Sequence, residues 1–218
     1  MRLDIKENIV FPFSDPSWIT KTLIGVACQI VFPVMPALMG YQLAIIRQTA
    51  NGEDEKLPEF EGFGDLWIRG FKLFMVLMVL SMVPMGVTIG MIMTGALALS
   101  GGGDGAGAMS GVVAVVGILF ALGCYLLLAA LFPAMMLRYA MTDQVGSVFE
   151  ISTLMADIRQ GLGDYLMIVC FPVVVSLVLG VGVLFTAGLG AILMYPAGVL
   201  MMFIQARMIG NYYRLYFM

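Results

Sequence analysis

The 218-residue chain contains no histidine. That removes the commonest metal ligand, the usual general base near neutral pH and the usual axial ligand of haem. Its three cysteines, Cys28, Cys124 and Cys170, lie far apart in apolar runs without C-x-x-C spacing. They read as small buried hydrophobes, not as a metal set or a disulfide. Charge is scarce too, at 11% of residues against about 25% in a soluble domain. The 11 Lys and Arg are scattered, so no nucleic-acid surface, cofactor site or metal site is expected.

What the chain has is apolar residues, 61% of the total, with a mean hydropathy of +1.00. Such a chain cannot cover a globule with polar groups, so it reads as an integral membrane protein. The opening residues carry Asp4, Glu7 and Asp15 ahead of any long apolar run, and no small-residue cleavage site follows. The first membrane segment is therefore expected to stay in the mature chain.

A helix crossing the hydrocarbon core takes roughly 20 apolar residues. Four stretches qualify: 66–99, 111–138, 165–186 and 189–208. The last two form one long run with no charge before Arg207, divided where Thr186-Ala187-Gly188-Leu189-Gly190 permits a tight turn. Residues 22–46 are apolar as well, but Pro33 and Pro36 break them into two short arms. That segment is either a kinked fifth span or a re-entrant hairpin. If it re-enters, all 11 Lys and Arg fall on one side of the membrane; if it spans, the split is 8 to 3. The full separation favours the hairpin. In both cases the loops 47–70 and 139–164 and the C-terminus are expected to be cytoplasmic, and with the hairpin the N-terminus is too. The expected fold is all-α: one polytopic transmembrane helix bundle of four full spans plus a Pro-broken first segment, with cytoplasmic interfacial helices. The glycine-rich stretch from Gly101 to Gly107 follows no strand and lacks a P-loop Lys-Ser/Thr, so it reads as a flexible connector.

Three segments suit the interface. Residues 1–21 mix charge with Ile5, Ile9 and Val10, then offer Ser14 or Asp15 as a cap, Pro16 in a first turn, and Trp18 and Lys21 for the headgroup belt. Residues 147–162 begin with the capping box Ser147-x-x-Glu150 and place Val148, Ile151, Met155, Ile158 and Leu162 on one face, with Asp157, Arg159 and Gln160 elsewhere. This helix is expected to rest on the bilayer or the bundle's end, with partner docking as the alternative. The acidic loop holding Glu53, Asp54, Glu55, Glu59, Glu61 and Asp65 is expected to be solvated, anchored by Phe60, Phe63 and Trp67.

The chain also repeats a pattern. Phe32-Pro33 precedes Gly62-Phe63-Gly64-Asp65, with 32 residues from Pro33 to Asp65; Phe132-Pro133 precedes Gly161-Leu162-Gly163-Asp164, with 31 from Pro133 to Asp164. Asp65 and Asp164 each stand at the start of a span and are predicted N-caps. Pro36-Ala37, Pro133-Ala134 and Pro196-Ala197 are followed by Arg47, Arg138 and Arg207, predicted to snorkel to cytoplasmic headgroups.

In this order the motifs resemble a family of membrane proteins known as domain of unknown function 4013. They are Phe11-Pro12-Phe13-x-Asp15-Pro16-x-Trp18, Gly40-Tyr41 with Arg47, Gly52-Glu53-Asp54, Leu57-Pro58-Glu59-Phe60 and Gly64-Asp65-Leu66 with Gly70-x-Lys72. Pro133-Ala134 with Arg138-Tyr139-Ala140, Gly163-Asp164-Tyr165 and Gly210-Asn211-Tyr212 continue the series; Asn211 departs from an expected glutamine. The resemblance implies a multi-span protein of a bacterial or archaeal cell membrane and supplies no activity.

No ionisable residue falls in the middle of a predicted span, and the polar groups there are few: Gln29, Gln42, Ser81, Thr88, Thr94, Ser176, Thr186 and Gln205. Ion- and proton-coupled pumps need such residues. The expectation is a non-enzymatic scaffold or accessory subunit, whose partners are the bilayer and other membrane proteins or copies of itself. A carrier, channel or lipid-handling protein for neutral or amphiphilic solutes is the alternative, motivated by the proline break and the repeat. No catalytic residue is assigned; exposed carboxylates are the only basis for an enzyme.

Overall fold

The computed structural model describes residues 3–53, 56–100, 104–186 and 190–218. The helices are α1 (Ile5–Ser14), α2 (Trp18–Ile30), α3 (Met35–Ala50), α4 (Phe63–Ser100), α5 (Asp104–Thr142), α6 (Ile151–Gln160), α7 (Leu162–Phe185) and α8 (Ala191–Phe217). Short 3-10 turns lie at Phe32–Val34 and Val145–Phe149. No strand occurs among the described residues. Four helical stretches are long and apolar enough to cross a membrane: Phe63–Gly95, Ala114–Thr142, Leu162–Phe185 and Ala191–Phe217. The protein is thus an all-helical, multi-pass membrane protein.

Boundaries differ from the sequence expectation in ways that have physical causes. Of the glycine-rich connector, Gly101 to Gly103 lie outside the described residues, but Asp104 to Gly107 already belong to α5. Helix closes every backbone hydrogen bond within the segment, and an apolar setting rewards that over glycine's preference for freedom. The turn expected near Gly188 lies outside the described residues; α7 ends at Phe185, and the Gly190 N–H donates to the Thr186 hydroxyl at 2.9 Å. α8 continues well past residue 208 because Met208, Ile209 and Tyr212 are part of a buried core.

The chain divides into two compact units, Met1–Phe74 with Pro133–Met218, and Met75–Phe132. The first is organised on α8, which packs against α1, α2, α3 and α7. Val199, Phe203 and Met208 of α8 and Ala37, Tyr41 and Ile45 of α3 are fully buried. Small residues allow these close crossings: a Cβ on Gly25 would meet Val199 at 2.6 Å, and one on Gly210 would meet Thr49 at 2.6 Å. α3 also crosses the start of α4 so closely that a Cβ on Gly40 would overlap the Leu66 carbonyl and one on Gly70 the Pro36 carbonyl.

The proline break is a bend of 117° between α2 and the segment Phe32–Ala50. It brings α3 back against α2. At its tip, Phe32 meets Phe74 edge-on at 6.2 Å, and the Trp67 indole N–H donates to the Pro33 carbonyl at 2.8 Å. Phe74 lies about 16 Å along α4 from Phe63. The tip therefore lies about 3 Å along the axis past Lys72, the last charged residue of this helix.

Beyond that level the helices of this unit are bare. Leu184 is 79% exposed, Phe185 86% and Ile192 76%. Only 6% of the most apolar stretch of α7 is buried, against 39% for α8.

The second unit comprises Met75–Phe132 of α4 and α5. Met91 occupies the space left by Gly117, beside an apolar cleft of 420 Å³ lined by Val87, Met91, Val112, Val116, Gly117 and Phe120. The hydroxyls of Ser81, Thr88 and Thr94 each donate at 2.8 Å to a carbonyl of their own helix, so none needs a partner elsewhere.

Candidate functional site

The ionised groups of the first unit gather where α1, α6 and the loop after α3 meet the spans. Among the described residues of the loop after α3, the carboxylates Glu53, Glu59 and Glu61 are exposed, as expected, but its middle is tied to α3. Leu57 is buried, Phe60 stacks on Tyr41 at 3.9 Å, and the Tyr41 hydroxyl donates to the Pro58 carbonyl at 2.7 Å. Burial of Leu57 and the Phe60 stack on Tyr41 of α3 hold the loop while its carboxylates stay in water.

Lys21 fastens that loop. Its ammonium donates to Asp15 at 2.8 Å, to the Leu57 carbonyl at 2.8 Å and to Glu59 at 2.9 Å, so all three of its donors are used. Lys21 is therefore an interior anchor and not the headgroup contact predicted from its neighbour Trp18. Burial disfavours the Asp15 charge, but the Lys21 ammonium and the Ser17 hydroxyl and N–H outweigh it and hold the carboxyl at about 2. The capping arrangement is likewise displaced: α2 starts at Trp18, and Asp15 receives the Ser17 N–H at 2.7 Å. Trp18 itself packs edge-on against Phe13 at 5.0 Å.

A second group joins α1 to α8. Arg207 donates to the Glu7 carboxylate at 2.8 Å and to the Glu7 carbonyl at 3.1 Å, over the Phe11 ring at 4.3 Å. Its side chain is 7% exposed and Glu7 64%, so a buried guanidinium paired with a carboxylate at the protein's rim replaces the predicted snorkelling. Nearby, Asn211 donates to Asn8 at 3.0 Å beside a cleft of 490 Å³ whose polar lining is Asp4, Glu7, Asn8, Asn211 and Arg214. α1 is thus docked through Asn8, Phe11 and Pro12, while Ile5, Ile9, Val10 and Phe13 face outward.

The third group lies between α5 and α6. Arg138 grips Asp157 through two nitrogens, one bond at 2.8 Å, and the Tyr212 hydroxyl donates to the Asp157 carbonyl at 2.7 Å. Asp157, expected on the outer side of the amphipathic helix, is buried together with Leu154. A charge-assisted, two-pronged bond is worth more than leaving the carboxylate in water, and it turns the helix so that Ile151, Met155 and Leu162 stay exposed. The predicted capping box does not form. The Ser147 hydroxyl donates to the Gln144 carbonyl at 2.7 Å, and Glu150 precedes α6 without a side-chain cap.

The predicted caps Asp65 and Asp164 are also corrected. α4 begins at Phe63 and α7 at Leu162, which puts each Asp in the first turn instead of at the cap. Gly62, at φ 65°, accepts the Asp65 and Leu66 N–H groups in its carbonyl. The carboxylates still face the positive end of the helix, and Asp164 also accepts the Tyr216 hydroxyl at 2.8 Å. The repeat is visible in how these starts are used. The residue after each Asp meets the helix carrying the Pro-Ala pair: Leu66 against Gly40, and Tyr165 accepting the Ala134 N–H at 3.2 Å.

The fourth group is the most open. Arg47 donates to the Ala140 carbonyl and pairs with Asp143 at 2.8 Å, and Arg69 approaches the same carboxylate at 3.9 Å. Asp143 ends α5 at φ 57°, a conformation Asp tolerates better than most residues. Burial works against its charge, yet Arg47, Arg69 and Lys72 together hold its carboxyl below the usual range. Of the predicted anchors, Trp67 donates to Pro33 and stacks on Phe71 at 4.8 Å, so it braces the hairpin. Sequence reasoning missed the Lys21 anchor and the gathering around Asp143, since neither pairing has a fixed spacing.

The family described as Protein of unknown function (DUF4013) matches residues 24–188. The chain belongs to this family. The DUF4013 match takes in the hairpin, three of the span helices and the groups around Asp143 and Asp157, and it ends before α8. The motifs at Phe11–Trp18 and Gly210–Tyr212 therefore fall outside it. Comparison with curated proteins and with solved structures found no match. Among the described residues, no three His, Cys, Asp or Glu side chains converge as a metal set.

Proposed function

We propose that this DUF4013 protein is a non-enzymatic membrane component that scaffolds or accompanies a larger assembly. Its partners would be other membrane proteins or further copies of itself. The observation that carries this is the division of the first unit into a tightly packed half and a bare one. Val199 to Tyr212 of α8 bury against four helices, whereas the end of α7 and the start of α8 are largely exposed, as at Leu184, Phe185, Ile192 and Leu193. Helices that pack this little on one another leave apolar length free for lipid and for other helices. The strong side chains support the same reading: Lys21, Arg138 and Arg207 are each committed to internal carboxylates. The one-sided placement of Lys and Arg that the hairpin gives supports a cytoplasmic position for both termini, and the family resemblance supports a bacterial or archaeal cell membrane.

The test is purification in a mild detergent, with native mass determination and chemical cross-linking. A defined stoichiometric complex, with cross-links along α7 or the start of α8, is the expected result. A monomer that moves solute across liposomes would overturn it. That outcome belongs to a second reading, a carrier for neutral or amphiphilic solutes, which the 117° break favours.

A further inference from the structure

We propose that Arg47, Arg69 and Lys72 around Asp143 form a binding site for the phosphate of an anionic phospholipid headgroup. The argument begins with charge balance. Among the described residues, Lys21 meets two carboxylates, while Arg138 and Arg207 meet one each. At Asp143 the ratio reverses: one carboxylate faces two guanidiniums, and Lys72 stands one turn beyond Arg69 on the same helix face. One carboxylate cannot neutralise three cations. Asp65, four residues before Arg69, is exposed and makes no ion pair among the described residues.

The donors are also available. Arg47 is fixed by Ala140 and Asp143 and forms the floor of the site. Arg69 lies 3.9 Å from the carboxylate, beyond hydrogen-bonding distance, and its side chain is 45% exposed. A guanidinium carries five N–H donors in a planar fork that matches two phosphate oxygens, and a neighbouring ammonium adds a point charge. Lys72 is exposed. Depth fits a lipid better than a soluble ion: Arg69 and Lys72 stand roughly 9 and 14 Å along α4 from its start, level with a headgroup and its glycerol. Ile68 and Phe71, each exposed and each one residue before a cation, offer apolar surface for the start of the acyl chains.

The experiment titrates the detergent-solubilised full chain with phosphatidylglycerol or phosphatidylcholine and reads lipid adducts by native mass spectrometry. Phosphatidylglycerol should bind more tightly than phosphatidylcholine. R69Q/K72Q should weaken its first binding step roughly 25-fold, about fivefold per cation removed, and leave phosphatidylcholine unchanged. K72Q alone, at an exposed position, should cost about fivefold and serves if the double variant loses helicity. D143N should tighten binding. Equal affinity for the two lipids would overturn the proposal, as would phosphatidylglycerol binding indifferent to K72Q. Full displacement by millimolar inorganic phosphate would assign the site to the free ion and overturn the lipid assignment.

Discussion

Lys21 and Asp15 meet at 2.8 Å, and each side chain is only 4% exposed. Two opposite charges so placed are costly to separate, because the survivor stays buried without its counter-ion. Lys21→Met should therefore destabilise the protein by about 3–5 kcal/mol. Glu59→Gln, at a carboxylate 69% exposed, should cost at most about 1 kcal/mol. Thermal unfolding in detergent, followed by helical circular dichroism, separates the two.

The same pair sets an acid limit. Asp15 is held at about 2 when folded, against an ordinary value of 3.8. A lowered folded value means the pair's stabilisation is complete above the unfolded value and is lost as pH falls through the folded one. The unfolding temperature should thus drop between about pH 4 and about pH 2. Asp143, also lowered, acts in the same direction. Asp15→Asn should lower stability at neutral pH and flatten that acid decline; an unchanged slope would refute the assignment.

Gly40 and Gly86 make a matched pair. A methyl at Gly40 must displace the Leu66 backbone, so Gly40→Ala should cost about 1–3 kcal/mol or more and loosen α3 from α4. Around Gly86 there is open space, and Gly86→Ala should be neutral or up to about 1 kcal/mol stabilising. Denaturation of both variants in one detergent checks the difference.

Two buried tyrosines should behave oppositely. The Tyr139 hydroxyl has no hydrogen-bond partner among the described residues, so Tyr139→Phe should be neutral or mildly stabilising. The Tyr212 hydroxyl donates to the Asp157 carbonyl at 2.7 Å, and Tyr212→Phe should cost about 1 kcal/mol. If Tyr139→Phe is the more damaging of the two, the hydroxyl has a partner that side-chain geometry does not reveal.

The spans and the proline break were legible in the sequence because they rest on local composition: long apolar runs, and Pro33 and Pro36 within one of them. The end uses of single side chains were not. Arg138 and Arg207 read as headgroup contacts since an arginine at a helix end usually finds lipid, yet each finds a carboxylate brought from a distant segment, Asp157 and Glu7. The same blindness hid the tether of the acidic loop: its carboxylates face water as composition implies, but buried Leu57, the Tyr41 bond to Pro58 and the Phe60 stack hold its middle to the protein. Asp65 and Asp164 were found at the right helix starts and misassigned by a few positions, because glycines took the cap and left the carboxylates to the first turn.

The hairpin of α2 and α3 leans on α4 at Trp67 and Phe74 and on α8 at Val199 and Phe203. Both supports are made later than the hairpin during translation, α8 far later. Until they exist, the Pro33 carbonyl lacks its Trp67 donor and the Gly25 and Gly40 surfaces lack the residues that fill them, so the hairpin's packing is completed by the last helix of the chain and not by its own sequence.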